Sequence, residues 1–186
     1  MNPILRQTLS IIRYPKVFLF SKRMGKNNHF GPHGHFLHPE EIFFGDNVYI
    51  GPYFYISARN LKFGNNIMIG PRLLLECDDH VFDNVGKTIW STRNERKIGF
   101  VTIEDDVWIG GNVTILKNVK ISEGAIIGAG SLIIRDLPPY SICVGSPCKA
   151  VKPRFTPVKL AKHLKHVASK YSLDEILDFW EKNKII

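Results

Sequence analysis

The densest run of acid–base groups in the chain is Glu76-Cys77-Asp78-Asp79-His80, and it stands at the edge of a long stretch, Val81 to Thr102, with no regular pattern. His80 is the sole histidine between residues 39 and 162. An imidazole with an ordinary pKa of about 6.5 is mostly unprotonated at neutral pH, yet basic enough to draw a proton from an alcohol. Such assistance is worth about 10²–10⁴-fold in rate. By spacing alone His80 also reads as a surface histidine at a loop edge. A partner on its second ring nitrogen would fix the tautomer, and Asp78, Asp79, Asp83 or a backbone carbonyl could serve.

Three further groups could bind rather than react. Arg135, Lys149, Lys152 and Arg154 are cations near one end of the chain, suited to phosphate oxygens by charge-assisted hydrogen bonds. Ser57, Arg59 and Asn60 form a polar cluster in an apolar neighbourhood. His29, His33, His35 and His38 are punctuated by Gly and Pro, and could ligate a metal.

These groups need elements to hold them, and the sequence supplies a repeat. From Phe44 the chain parses into hexads opening on Phe44, Ile50, Ile56, then, after one extra residue at Lys62, Phe63, Ile69 and Leu75. The register resumes at Ile103 and continues through Ile109, Ile115, Ile121, Ile127 and Ile133. All twelve openings are large and apolar, which at 44% apolar content has a chance of roughly one in twenty thousand. Gly fills the second position in six hexads. The fifth is apolar in nine, the clear polar exceptions being Asn60 and Asp79, expected one above the other. A helix would scatter these positions around its circumference, and a long strand would alternate every second residue. A short strand and a corner every six residues fits both facts. Three hexads close one coil around a triangular core, so four coils are expected.

This pattern resembles the hexapeptide-repeat acyltransferases, whose fold is an all-β solenoid, a left-handed parallel β-helix. Val107-Trp108-Ile109-Gly110-Gly111, Ile127-Gly128-Ala129-Gly130-Ser131, Arg135-Asp136 and Gly145-Ser146-Pro147-Cys148-Lys149-Ala150 are similar to the acetyl-coenzyme A end of galactoside, maltose and polysaccharide O-acetyltransferases. The resemblance implies that His80 is the general base of a direct acetyl transfer from acetyl-CoA to a sugar hydroxyl. It implies a pantetheine slot along Trp108, Gly111 and Ala129, with Arg135, Lys149, Lys152 and Arg154 around the adenosine phosphates. It places the acceptor near Ser57, Arg59, Asn60, Asp78 and Asp79. Galactoside-type members carry Asn where this chain has Ser57, a departure that points to a different sugar. It also implies a homotrimer, and no metal. Sugar N-acetylation, a metal-dependent enzyme of the γ-carbonic-anhydrase type and an inactive scaffold are the alternatives.

The chain has 186 residues and a net charge of +8, divided as +6 over residues 1–39, −3 over 40–147 and +5 over 148–186. We expect a basic N-terminal extension at 1–39, a β-helix at 40–154 with a loop insertion at 81–102, and a helical cap at 155–186. Short helices are expected at both ends. Thr156-Pro157 opens one, with Leu160, Leu164, Val167 and Tyr171 on its apolar side, and Ser172 with Glu175 is a capping box for another. The N-terminal segment mixes apolar residues with six cations and no acid, so it either docks on the prism or lies on an anionic membrane, the inner membrane for a cytoplasmic protein. Nucleic acid is disfavoured, because the cations are split between two ends without a binding motif. No run is long enough for a membrane span, no signal-like pattern is present, and three cysteines in no metal spacing fit a reducing cytoplasm.

Overall fold

The computed structural model describes residues 3–57 and 59–186. Its body is a parallel β-solenoid, matching a left-handed β-helix of hexapeptide repeats. One face stacks Arg23–Met24, Ile42–Phe44, Leu61–Phe63, Val101–Ile103 and Val119–Ile121. The second stacks His29–Phe30, Val48–Ile50, Ile67–Ile69, Trp108–Ile109, Ile126–Ile127 and Ser141–Val144; the third stacks His35–Leu37, Tyr55–Ser57, Leu74–Glu76, Thr114–Ile115 and Leu132–Ile133. Successive coils pair in strict register, as in Ile50 with Ile69 and Ile69 with Ile109.

All twelve hexad openings point inward and are buried. Each such isoleucine or phenylalanine contributes about 1.5–3 kcal/mol by leaving water. A coil precedes the four expected: Met24, Phe30 and Phe36 lie over Phe44, Ile50 and Ile56. The first coil therefore lies within the stretch read as an extension. A partial coil, with Leu137 bridged to Ile121 and Cys143 paired with Ile127, follows the last hexad.

The corners explain the remaining sequence pattern. At the first corner, between faces one and two, Asn27, Asn47, Asn66 and Asp106 adopt φ of 55°, 60°, 58° and 56°. Asn and Asp enter this left-handed region more readily than other side chains, because a short polar group can hydrogen-bond locally. Asn47 does so by donating to Asn66 Oδ1 at 2.8 Å. Gly45 is required by closeness instead, since a Cβ there would lie 2.2 Å from the Gly64 carbonyl oxygen.

The third corner corrects the expected register. Lys62 is not the extra residue: it pairs in step with Phe43 and Thr102 on the first face. The extra residue is absorbed between Ser57 and Leu61, and buried Leu61 fills the inward position assigned to Asn60. Asn60 takes φ of 53° at the corner, as Asn118 does at 60° two coils on, so its polarity follows from backbone geometry.

The two ends are closed differently. Helices α1 (Pro3–Arg13) and α2 (Pro15–Phe20) lie over the first coil. There the Ser10 hydroxyl accepts from the Phe30 N–H at 2.9 Å, and the Tyr14 hydroxyl donates to the Gly31 carbonyl at 2.6 Å. At the other end Lys149–Pro153 runs antiparallel to Ser141–Val144 and leads into α3 (Pro157–Leu164) and α4 (Leu173–Lys182). The expected Thr156 cap and the Ser172–Glu175 capping box both form, but α3 stops at Leu164 rather than continuing to Tyr171. Leu160, Ile176 and Trp180 pack with Tyr140 into a second core, and the Trp180 indole donates to the Pro139 carbonyl at 2.8 Å.

Candidate functional site

The chain leaves the prism at the third corner. After Glu76 on the third face, Cys77 turns inward, and Asp78–His80 pairs antiparallel with Arg96–Ile98 to make an arm. Cys77 is fully buried, and burial pushes its thiol up to about 12, so it is a packing residue rather than a nucleophile.

His80 is exposed on this arm, opposite Arg96. None of the three expected aspartates orients it. Asp79 pairs with Lys117 Nζ at 2.8 Å, and Asp83 with Lys97 Nζ at 2.6 Å, a hydrogen bond that holds the Asp83 carboxyl below the usual carboxylate range. Asp78 faces Arg59 at 3.9 Å. The partner of His80 is Arg96, whose Nη1 donates to His80 Nδ1 at 2.7 Å and also to the carbonyls of Arg93 and Glu95. A guanidinium has no acceptor atom, so this contact places the proton of a neutral His80 on Nε2. For Nε2 to accept a proton, Arg96 must release Nδ1 and an acceptor must replace it.

The same corner gathers charged residues from successive coils. Arg59 Nη2 lies 3.3 Å from His38 Nε2, and Arg59 Nε is buried without a hydrogen-bond partner among the described residues. Arg59 and Asp78 occupy equivalent hexad positions in adjacent coils, a stacking signal legible in the sequence. Lys117 reaches this corner from the following coil at a third hexad position, where the repeat gives no signal for a polar residue. Arg96 carried no spacing signal, since its place depends on how the arm folds back. Asn60 donates to the Gly99 carbonyl at 3.4 Å, and Ser57 pairs in register with Glu76. Arg135 follows Ile133 at this corner two coils beyond Asp79, exposed and with no carboxylate partner among the described residues.

The other expected coenzyme residues are distributed over two edges. Gly111 and Ala129 stack at the second corner, where the Gly111 carbonyl accepts from the Gly130 N–H at 2.9 Å. Trp108, 55% exposed, forms an outward ladder with Met68 and Ile126 on the second face. A groove of about 320 Å³ there also includes Arg154. Arg154 is engaged: it donates to Asp106 Oδ2 at 2.7 Å and to the Gly124 carbonyl at 3.1 Å, tying the C-terminal strand to the first corner. Lys149 and Lys152 are exposed on that strand with no carboxylate partner among the described residues, and Lys152 borders a hollow with Phe155 and Lys159.

The four N-terminal histidines do not converge. His29 and His35 lie on different faces, His33 stacks on Tyr53 at 5.0 Å, and His38 lies between Glu40 and Arg59. Among the described residues no group of three or more His, Cys, Asp or Glu is placed to hold a metal.

Residues 100–135 match the family model for the bacterial transferase hexapeptide (six repeats). The chain is 38% identical over 81 residues to a chloramphenicol acetyltransferase of Klebsiella aerogenes, 44% of this chain and 39% of that one. It spans only about a third of the length of the curated relatives it matches. Among solved structures it is similar to a maltose O-acetyltransferase from Clostridium difficile 630, at TM-score 0.65 and 26% identity over 76% of this chain and 74% of that one. It shares its fold with a hexapeptide-repeat acetyltransferase of Vibrio cholerae O1 biovar eltor, solved with acetyl-coenzyme A, at TM-score 0.66 and 24% identity over 78% of each chain. The chain is thus a hexapeptide-repeat protein, similar in sequence and fold to hexapeptide-repeat acetyltransferases.

Proposed function

We propose that this protein is an acyltransferase that moves an acetyl group from acetyl-CoA directly to a hydroxyl of a saccharide, with His80 as general base. The observation that carries this reading is the position of His80, exposed at the root of the arm beside a corner that holds an unpartnered Arg59 donor and the Asp78 and Asp79 carboxylates. Polyols suit such a corner because carboxylates accept from, and a guanidinium donates to, adjacent hydroxyls. Ser57 and Asn60 complete the acceptor side.

Acetyl-CoA supplies an activated thioester, whose carbonyl carbon is attacked by the acceptor oxygen as the carbon–sulfur bond breaks. His80 takes the hydroxyl proton at Nε2 during attack and returns it to the leaving thiolate. Arg96 leaves Nδ1 before this step. The residues suit the coenzyme: Trp108, Gly111 and Ala129 offer an exposed ring and open backbone along the second face and corner, and Lys149, Lys152 and Arg135 are uncompensated cations. Arg154 acts here as a brace, through Asp106, for the strand that carries the two lysines. The assembly proposed with this activity is a homotrimer, each arm reaching toward a neighbouring prism. The cytoplasm is the proposed compartment, in keeping with three free and buried cysteines.

The test is thiol release from acetyl-CoA across a panel of sugars, nucleotide sugars and polysaccharide fragments. Turnover with a saccharide hydroxyl is the expected result. No thermal stabilisation by acetyl-CoA, or transfer to amines alone, would overturn the reading.

A further inference from the structure

Helix α1 docks with its polar side inward, whereas α2 buries Val17. On α1, the apolar Ile4, Leu5, Ile11 and Ile12 fall within an arc of about 120° at 100° per residue, with Thr8 among them, and Ser10 lies opposite. It is Ser10 that is buried, against the Phe30 backbone, while the apolar arc faces outward and Ile12 is 68% exposed. On α2, Val17 is buried, but Leu19 and Phe20 are 74% and 60% exposed. A lone helix docked on a water-soluble prism is expected to show the reverse orientation.

The charges on the two helices and the first coil are all positive, and the carboxylates beside them are Glu40 and Glu41 of the turn packed against α2. Residues 1–39 hold six cations and no carboxylate. Lys22 is paired with Glu41 of the neighbouring coil, whereas Arg6, Arg13, Lys16, Arg23 and Lys26 have no carboxylate partner among the described residues. Beside α1 a cavity of about 340 Å³ is lined by Arg6, Arg13, His29 and Tyr49, a setting suited to a phosphate group.

We propose that α1, α2 and their flanking cations form a docking surface for an anionic lipid bilayer. Leu5, Ile11, Ile12, Leu19 and Phe20 enter the headgroup–acyl boundary, and the cations lie at the level of the lipid phosphates. Charge complementarity selects this occupant: a second copy of the same face would bring unpaired cations against one another. The inference is independent of the acetyl-transfer reading.

Flotation of the full chain with vesicles tests it. The wild type floats with phosphatidylcholine–phosphatidylglycerol vesicles, does not float with phosphatidylcholine alone, and detaches at high salt. The Ile12→Ser/Leu19→Ser/Phe20→Ser variant loses about tenfold or more in partitioning. In an Arg6→Gln/Arg13→Gln/Lys16→Gln variant each lost charge costs about fivefold. Leu19→Ser alone replaces the triple apolar variant should that fail to melt like the wild type. No flotation of the wild type with mixed vesicles, or equal flotation of wild type and apolar variants, overturns the proposal. So does a change of particle mass in light scattering on apolar substitution when the wild type ignores both vesicle types, for the face then belongs between copies.

Discussion

The first and third corners of the prism both carry polar residues on every coil, but they use them differently. At the first corner the same job recurs: Asn27, Asn47, Asn66 and Asp106 each hold a left-handed backbone turn, and the side chains bond to one another or to the chain. At the third corner the occupants change from coil to coil. His38, Arg59, Asp78 and Lys117 differ in type, partner across coils, and surround the point where the chain leaves the prism. A polar residue that repeats is explained by the fold, whereas one that breaks the repeat asks for another explanation. Asn60 shows why both tests are needed. It lies at the irregular corner, yet its φ of 53° groups it with the structural asparagines.

That contrast can be broken by mutation. The largest effect is expected from His80→Ala, which should lower kcat by about 10²–10⁴-fold while melting temperature and coenzyme binding stay unchanged. Near wild-type turnover would show that the base is misassigned. Next comes the core behind both corners: Ile109→Ala should cost about 2–5 kcal/mol in urea unfolding. At the first corner Asn66→Ala should cost about 1–2 kcal/mol, because alanine tolerates the left-handed turn poorly, and Asn66→Gly distinctly less. Activity of both variants, per folded molecule, should be retained. Lys117→Ala breaks an ion pair at the third corner and should shift stability by less than about 1 kcal/mol while raising KM for the acceptor. Equal losses at the two corners in both assays would erase the distinction. The smallest effect concerns Cys77, whose burial raises the folded thiol pKa to about 12. Its contribution to stability is intact below the ordinary thiol range and declines as pH climbs from there towards 12, because the unfolded thiol ionises first. Labelling of native Cys77 by a thiol reagent at neutral pH would contradict its burial.

Much of the prism was legible in the residues because its inward positions recur with a fixed period and accept only large apolar side chains. The first coil is less legible for a specific reason. Met24-Gly25 and Phe30-Gly31 obey the same pattern, but His38 and the short 3-10 turn Pro39–Glu41 lengthen the following corner, so the register slips before Phe44. The misplaced extra residue at Lys62 has a related origin: periodicity counts residues and does not say in which corner a surplus one is taken up. The arm was less readable still. Its position was marked by the gap in the repeat, but the contact of Arg96 with His80 depends on how an aperiodic segment folds back. Arg154 was assigned by charge, and an ion pair with Asp106 across the chain changes what that charge is available to do.

The antiparallel strand Lys149–Pro153 has a consequence for how long such a prism can become. Every coil presents its successor with a parallel template, and a template of that kind can in principle be extended by another coil or another molecule. Reversing the chain direction on the second face ends that propagation, and Pro153, having no amide hydrogen, withholds a donor from any newcomer. Length is thereby encoded as a terminator rather than as a count. Coils could be gained or lost by duplication upstream while the finished particle still stops growing at the same element.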